Sequence, residues 1–189
     1  MDNYFGMKIS DFLERYEGRL RNQGSALDIG CANGAESLYL ASLGLNVTGI
    51  DIMLPDNLPS SLNIHWLKED ILKFDFPKNK FNVIVAFNVL QFLDLKNRNI
   101  ILDNIFQALS PGGLIFIKSF TQKAPVSSDE KEMGPFLENE LLDWGKKQNL
   151  HILEYQEKEI ESSVLPVSDY THGIVFFAAE KSREQNMMM

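Results

Sequence analysis

The sequence predicts an α/β fold, a doubly wound and mostly parallel sheet with helices on both faces and an antiparallel hairpin on one edge. Two observations carry this. Short apolar runs alternate with stretches of helical periodicity from residue 25 to about residue 120, the pattern of a parallel sheet whose crossovers are helices. Two further apolar runs near the end of the chain lack a long helix between them, so they pair with each other antiparallel.

Ile9, Phe12, Leu13, Tyr16 and Leu20 recur at helical spacing, which predicts an N-terminal amphipathic helix with Ser10 as its cap and Asn22, Gln23 and Gly24 as its stop. Ala26, Leu27 and Ile29 form the first strand, broken by the loop from Gly30 to Gly34. A helix follows through Glu36, Leu38, Leu40 and Leu43, with Gly44 ending it. Asn46 to Asp51 is the second strand and Asn63 to Leu67 the third. Phe81 to Phe87, almost continuously apolar, suits a strand covered on both faces. The next helix carries Ile101, Ile105 and Leu109 on one face and stops at Ser110-Pro111-Gly112-Gly113. Leu114 to Phe120 is the fifth strand, Gln122 to Gly134 a polar mobile loop, and Phe136 to Lys147 another helix. His151 to Ile160 and Gly173 to Ala179 are the late strands, joined by the polar link Ser162–His172. A frayed tail closes the chain from about residue 182. The chain of 189 residues reads as one domain, with an N-terminal helix over 1–24 and the core over 25–181.

Composition narrows the function. The formal net charge of -8, with Lys and Arg scattered among acids, argues against nucleic acid as a partner. The single cysteine excludes an intramolecular disulfide and predicts a reducing, cytoplasmic setting. No apolar run reaches the ~20 residues of a membrane span. No His/Cys cluster has metal-ligand spacing, so no metal is predicted.

Doubly wound sheets bind ligands at the C-terminal ends of their strands. The first strand ends in Asp28-Ile29-Gly30-Cys31-Ala32-Asn33-Gly34. Gly30 and Gly34 allow a tight turn and close backbone approach, and the helix after them offers N–H groups to a carboxylate or phosphate. Asp28 repels a pyrophosphate but suits a cationic amino group, so an amino-acid moiety fits better here than a dinucleotide. Asp51, about 20 residues after the loop, is placed to accept from both ribose hydroxyls, with Ile52 beside it. Asp70 and Ile71 suit an adenine amine and its ring face. Asn88 and Gln91 follow the fourth strand, where a reacting methyl group would lie. Each of these residues also serves in ordinary turns and caps; their order and spacing together carry the signal.

The segments ALDIGCANG, VTGID, KEDI, FNVIVAFNVLQFL and LSPGGLIFIKSF resemble the successive motifs of the class I S-adenosylmethionine-dependent methyltransferases. The likeness runs from about Ser25 to Lys181. Within that class, GAESLYLASLGLNVTGID, FLENELLDW and FFAAEK are most similar to the small tellurite-resistance-type members. The resemblance implies a Rossmann-like seven-stranded sheet whose last strand is antiparallel, S-adenosyl-L-methionine as cofactor, and a small-molecule methyl acceptor. It also implies Asp28, Gly30, Ala32 and Gly34 at the methionine moiety, Asp51 at the ribose, and Asp70 and Ile71 at the adenine. The chain departs from the pattern at three places. Ala32 stands where a third glycine is common, Asn82 where an aspartate often opens the fourth strand, and Pro55 and Pro59 fall where a helix usually follows Asp51.

Methyl transfer from a sulfonium needs alignment more than acid–base help. His172 and Tyr170, before the final strand, join Gln91 as candidates on the acceptor side. His65 and His151 are expected to be structural, Cys31 a small packing residue, and Trp66 and Trp144 core. Two other functions compete: a non-catalytic regulatory domain that keeps the cofactor, and a nicotinamide-dependent oxidoreductase. Asp28 and the missing G-x-G-x-x-G pattern count against the second.

Overall fold

The computed structural model describes residues 10–21, 24–60, 63–122, 134–162 and 170–183, with only the backbone described for 160–162 and 170–172. Ile9, Asn22, Gln23, most of the polar loop after Gln122 and the last six residues lie outside the described set.

The N-terminal helix is two short turns rather than one helix, α1 (Asp11–Glu14) and α2 (Glu17–Leu20). Ser10 sits at the start of α1 in extended conformation and gives no side-chain cap. Its carbonyl accepts from the Leu13 amide at 2.8 Å instead. The apolar spacing still does its work, because Phe12, Leu13 and Leu20 are all buried against the sheet.

The sheet contains β1 (Ser25–Ile29), β2 (Asn46–Asp51), β3 (Ile64–Lys68), β4 (Phe81–Phe87), β5 (Leu109–Thr121), β6 (His151–Ser162) and β7 (Tyr170–Glu180). Their order is β3-β2-β1-β4-β5-β7-β6. β1 to β5 pair in parallel, and β7 runs antiparallel between β5 and β6. This is the predicted seven-stranded Rossmann-like sheet with its antiparallel edge. Strand order reverses between β1 and β4, so the crevice at that point is where such a fold takes a ligand.

Three helices complete the layers: α3 (Ala35–Ser42), α4 (Leu95–Ala108) and α5 (Glu140–Lys147). Side chains alternate along the strands. Ile84, Ala86, Ile115 and Ile117 face α4 and α5, whereas Val83, Val85, Leu114 and Phe116 face α1, α2 and α3. β4 is covered on both sides, as its continuous apolar run predicts. Each buried Val or Ile there contributes about 1.5–3 kcal/mol of transfer free energy.

Several boundaries differ from the sequence expectation. Leu109 belongs to β5 and not to the α4 face; it pairs with Phe81, and the next matched pair is Val83 with Leu114. Ser110-Pro111-Gly112-Gly113 is therefore a bulge inside the strand, with Gly112 at φ 77°. Phe136 does not begin a helix. It bridges Thr121 in parallel and is buried, and α5 starts four residues later. Both late strands are longer than expected, so Ser162 and 170–172 lie within strands rather than in the link. Lys181 is not tail. Its Nζ is buried and donates to the carbonyls of Phe106 at 2.9 Å and Leu109 at 2.7 Å and to Asn79 Oδ1 at 3.1 Å. After Asp51 the described chain makes only a turn at Asp56–Asn57, as the two prolines predict.

Candidate functional site

A cavity of about 560 Å³ opens at the C-terminal ends of β1 to β5, at the switch point. The sequence singles out Asp28, Gly30, Cys31, Ala32, Asn33, Asp51, Ile52, Asp70, Ile71 and Asn88, and the structure brings all ten to the wall of this one cavity.

The loop after β1 turns sharply because its residues accept left-handed backbone. Gly30 has φ 72° and Gly34 φ 83°. A Cβ on Gly30 would stand 2.6 Å from the Val89 Cβ, so glycine is required by both conformation and space. Gly34 lies behind the cavity rather than on it. It is the N-cap of α3 and packs under the Trp66 indole, whose Cη2 would come within 2.5 Å of an added Cβ. Trp66 is thus the packing residue expected of it, with its indole N–H donating to the Pro59 carbonyl.

Ala32 also takes a positive φ, 44°. Its amide donates to Asp51 Oδ2 at 2.9 Å, and the Met53 amide donates to Asp51 Oδ1 at 2.8 Å. Asp51 therefore fixes its own rotamer and the loop beside it. A carboxylate offers about four lone-pair sites, so two remain for a ligand. Asp70 lines the cavity, and its side chain caps the following turn by accepting from the Leu72 amide at 3.0 Å.

Asp28 is buried at the cavity floor, and Ser37 Oγ donates to its Oδ2 at 2.6 Å. Burial pushes its carboxyl up to about 7, the nearby Glu36 and Asp51 charges push the same way, and the Ser37 hydrogen bond opposes them. Burial likewise raises the Glu36 carboxyl and the Cys31 thiol. Cys31 is a buried packing residue, as predicted, and its raised thiol is a poor nucleophile.

Glu36, in the first turn of α3, lies on the cavity wall, and the Lys118 charge opposes the effect of burial on its carboxyl. Gln91 corrects one expectation. It is not on the cavity wall but buried behind it, where its Oε1 accepts from Ser119 Oγ at 2.7 Å and its carbonyl from the Gly134 amide at 2.7 Å. Asn82, the departure at the start of β4, accepts from the Ser25 amide and so anchors the beginning of β1. His65 and His151 are exposed on strands β3 and β6, away from the cavity wall. Tyr170 and His172 lie in β7, with His172 paired to Ile160. Since Thr121 of β5 is matched with Gly173, the backbone of 170–172 runs past the end of β5, on the cavity side of the sheet.

The sequence did not single out Glu36, Ile50, Met53, Glu69, Phe87, Val89, Phe92, Leu93 or Lys118, which complete the wall. Phe92 and Met53 form an apolar rim and are 61% and 77% exposed. Val89 had a usable signal, since it directly follows Asn88. Lys118 had one too, as the only charge in the strand LIFIKSF. Among the described residues no cluster of metal-binding side chains is present, and no helix is long and apolar enough to cross a membrane.

The sheet order, the glycine turn after β1 and the cavity at the switch point define a doubly wound α/β domain of the nucleotide-fold type. A family model described as a methyltransferase domain matches residues 2–163, and the chain belongs to that family. It is 27% identical over 168 residues to the carboxy-S-adenosyl-L-methionine synthase of Pectobacterium atrosepticum, a match covering 80% of this chain and 65% of that protein. Among solved structures it is similar to TehB from Haemophilus influenzae, with a TM-score of 0.75, 24% identity, and coverage of 95% of this chain and 64% of that one. It is also similar to phosphoethanolamine N-methyltransferase 2 of Haemonchus contortus, solved with phosphomonomethylethanolamine and S-adenosylhomocysteine. That likeness has a TM-score of 0.71, 18% identity, and coverage of 90% of this chain and 51% of that one. At these identities the two structural likenesses show the fold. The chain spans less than two-thirds of the length of the synthase.

Proposed function

We propose that this chain binds S-adenosyl-L-methionine across the ends of β3, β2 and β1 and transfers its methyl group to a small-molecule acceptor. The observation that carries this is the convergence of Asp70, Asp51 and Asp28, one from each of three adjacent strand ends, on a single cavity. Family membership and the synthase and methyltransferase names of the similar proteins support it.

The residues present fit the cofactor. The cavity volume falls within the ~300–1,000 Å³ usual for small-molecule sites. Asp51 keeps lone pairs for ribose hydroxyls while its two backbone partners hold it still. Asp70 and Ile71, with Ile52, suit the adenine edge and face. Asp28, with Gly30, Cys31, Ala32 and Asn33, suits the amino-acid end, where an ammonium would stabilise a carboxylate that burial otherwise disfavours. When bound, the cofactor supplies an activated methyl group on a sulfonium.

What the chain then contributes is alignment and exclusion of water. Phe87, Val89, Phe92 and Leu93 give an apolar wall beyond β1, and Asn88 offers an amide on the same side. The course of 170–172 past β5 supports an acceptor-side place for Tyr170 and His172. The chain's acidity supports a small molecule rather than nucleic acid, and its lone buried thiol supports a cytoplasmic setting.

The test is formation of S-adenosylhomocysteine from S-adenosyl-L-methionine in the presence of a panel of small thiols, amines, phenols and carboxylic acids. Acceptor-dependent product, abolished by Asp51→Ala, is expected. Tight cofactor binding without turnover on any acceptor would contradict the transferase assignment and favour a regulatory binding domain.

A further inference from the structure

The cavity is acidic on the side assigned to the cofactor and differs beyond it. Asp28, Asp51, Glu69 and Asp70 lie at or just beyond β1, β2 and β3, and Glu36 opens α3. Past β1 in the sheet come β4 and then β5, and the wall there is made by Phe87, Asn88, Val89, Phe92, Leu93 and Lys118. Among the described residues of the wall, Lys118 is the only cation.

Its placement follows from strand alternation. Ile115 and Ile117 face α4 and α5, whereas Leu114 and Phe116 face α1 to α3, so Lys118 continues the second row. That row is apolar until Lys118, where the strand reaches the cavity. No described hydrogen bond or salt bridge holds the ammonium; its electrostatic partner is Glu36, across the same face. The Lys118 carbonyl accepts from the Asn88 amide at 2.7 Å, so backbone pairing fixes the base of the side chain beside the residue that follows β4. β5 is two strands from β1, about 10 Å at the usual strand spacing, which puts Lys118 beyond the amino-acid end of the cofactor.

We infer that Lys118 recognises an anionic oxygen group on the methyl acceptor, and that the acceptor is a small carboxylic acid or phosphate ester with an apolar, ring-sized body. The inference rests on the proposed methyl transfer and specifies its substrate class. Phe87, Val89, Phe92 and Leu93 cover the apolar body, and Lys118 holds the charged group at the far end. A neutral acceptor of the same shape forgoes a charge-assisted contact with the ammonium, and a cationic one faces it directly.

The probe is benzoate against benzamide, with phenyl phosphate as the alternative anion, titrated into the protein saturated with S-adenosylhomocysteine and followed by amide chemical shifts. Both anions, or one of them, should bind about tenfold tighter than benzamide, the discrimination typical of one charge-assisted contact. Lys118→Met should erase that preference, Lys118→Arg should retain most of it, and neither should change S-adenosylhomocysteine affinity by more than about twofold. Equal affinity for benzoate, phenyl phosphate and benzamide, or binding of none of them, would overturn the inference. So would a large loss of S-adenosylhomocysteine affinity in Lys118→Met, which would assign the lysine to the cofactor. If the wild-type protein fails to bind S-adenosylhomocysteine at all, it is the methyl-transfer proposal that falls, and this is read before any fragment is added.

Discussion

The amide of Ala32 donates to Asp51 Oδ2 at 2.9 Å, and the same residue holds a left-handed backbone with φ at 44°. Left-handed backbone costs a non-glycine residue roughly 1–2 kcal/mol, and glycine costs about 0.5–1 kcal/mol in chain entropy. Ala32→Gly should therefore stabilise the protein slightly, by about 0.5 kcal/mol, and keep S-adenosylhomocysteine affinity within about threefold. Thermal melts and calorimetry on the same variant check both. A marked loss of affinity would mean that the alanine methyl itself contacts the ligand.

Asp28 predicts a pH dependence of definite sign. Its carboxyl is raised to about 7 in the folded chain, with Glu36, Asp51 and Cys31 as its titratable neighbours. Between the ordinary carboxyl value of about 4 and that raised value, the folded state binds a proton that the unfolded state does not. This contribution therefore lowers ligand-free stability as pH rises through the window, by an amount on the order of a few kcal/mol. Asp28→Asn should flatten the loss, because the asparagine oxygen can still accept from Ser37. In contrast, affinity for S-adenosylhomocysteine should rise with pH up to about 7, since its ammonium favours the carboxylate; Asp28→Asn should remove that trend. Melting curves and titrations over the same pH series test the pair.

Gly34 separates backbone strain from crowding. A Cβ there meets Trp66 Cη2 at 2.5 Å, and φ is 83°. Gly34→Ala should cost more than about 2 kcal/mol, from strain and overpacking together. Trp66→Leu in the same chain should relieve only the crowding, so the double variant should melt above the single Gly34→Ala variant but below wild type. Full additivity of the two single losses would show that ring and loop are not in contact.

Lys181 offers a stability test away from the cavity. Its ammonium satisfies two carbonyls and the Asn79 side chain near the C-terminal end of α4. Lys181→Met leaves those acceptors unpaired at about 1–3 kcal/mol for the group, which corresponds to a fall of roughly 2–10 °C in Tm. S-adenosylhomocysteine affinity measured well below the transition should be unchanged.

Much of this was legible in the sequence where one local rule was sufficient. The limits of β2 and β4 follow from their apolar runs, and the turn from Gly30 to Gly34 from its glycines. Errors arose where a distant partner decided the outcome. Leu109 fits the α4 periodicity, but pairing with Phe81 draws it into β5. Phe136 looks like a helix start, but the bridge to Thr121 holds it extended. Lys181 reads as an ordinary lysine at the edge of the core until three oxygen atoms distant from it in sequence surround it. In the cavity, the acids stood out because they follow strands directly. Gln91 was misplaced because a short 3-10 turn, Leu90–Phe92, rotates it inward toward Ser119. Glu36 escaped notice because a glutamate in a first helical turn is ordinary until the fold sets it on the cavity wall.

The most direct test of the central claim is calorimetric titration of the protein with S-adenosyl-L-methionine, S-adenosylhomocysteine and NADH, alongside Asp51→Ala. The account predicts saturable one-to-one binding of both adenosyl-sulfur ligands, no binding of NADH, and at least about a tenfold loss in the variant, as expected for removing ligand contacts and two loop hydrogen bonds together. Absence of binding by either adenosyl-sulfur ligand to folded wild-type protein, or equal binding by Asp51→Ala, would contradict it.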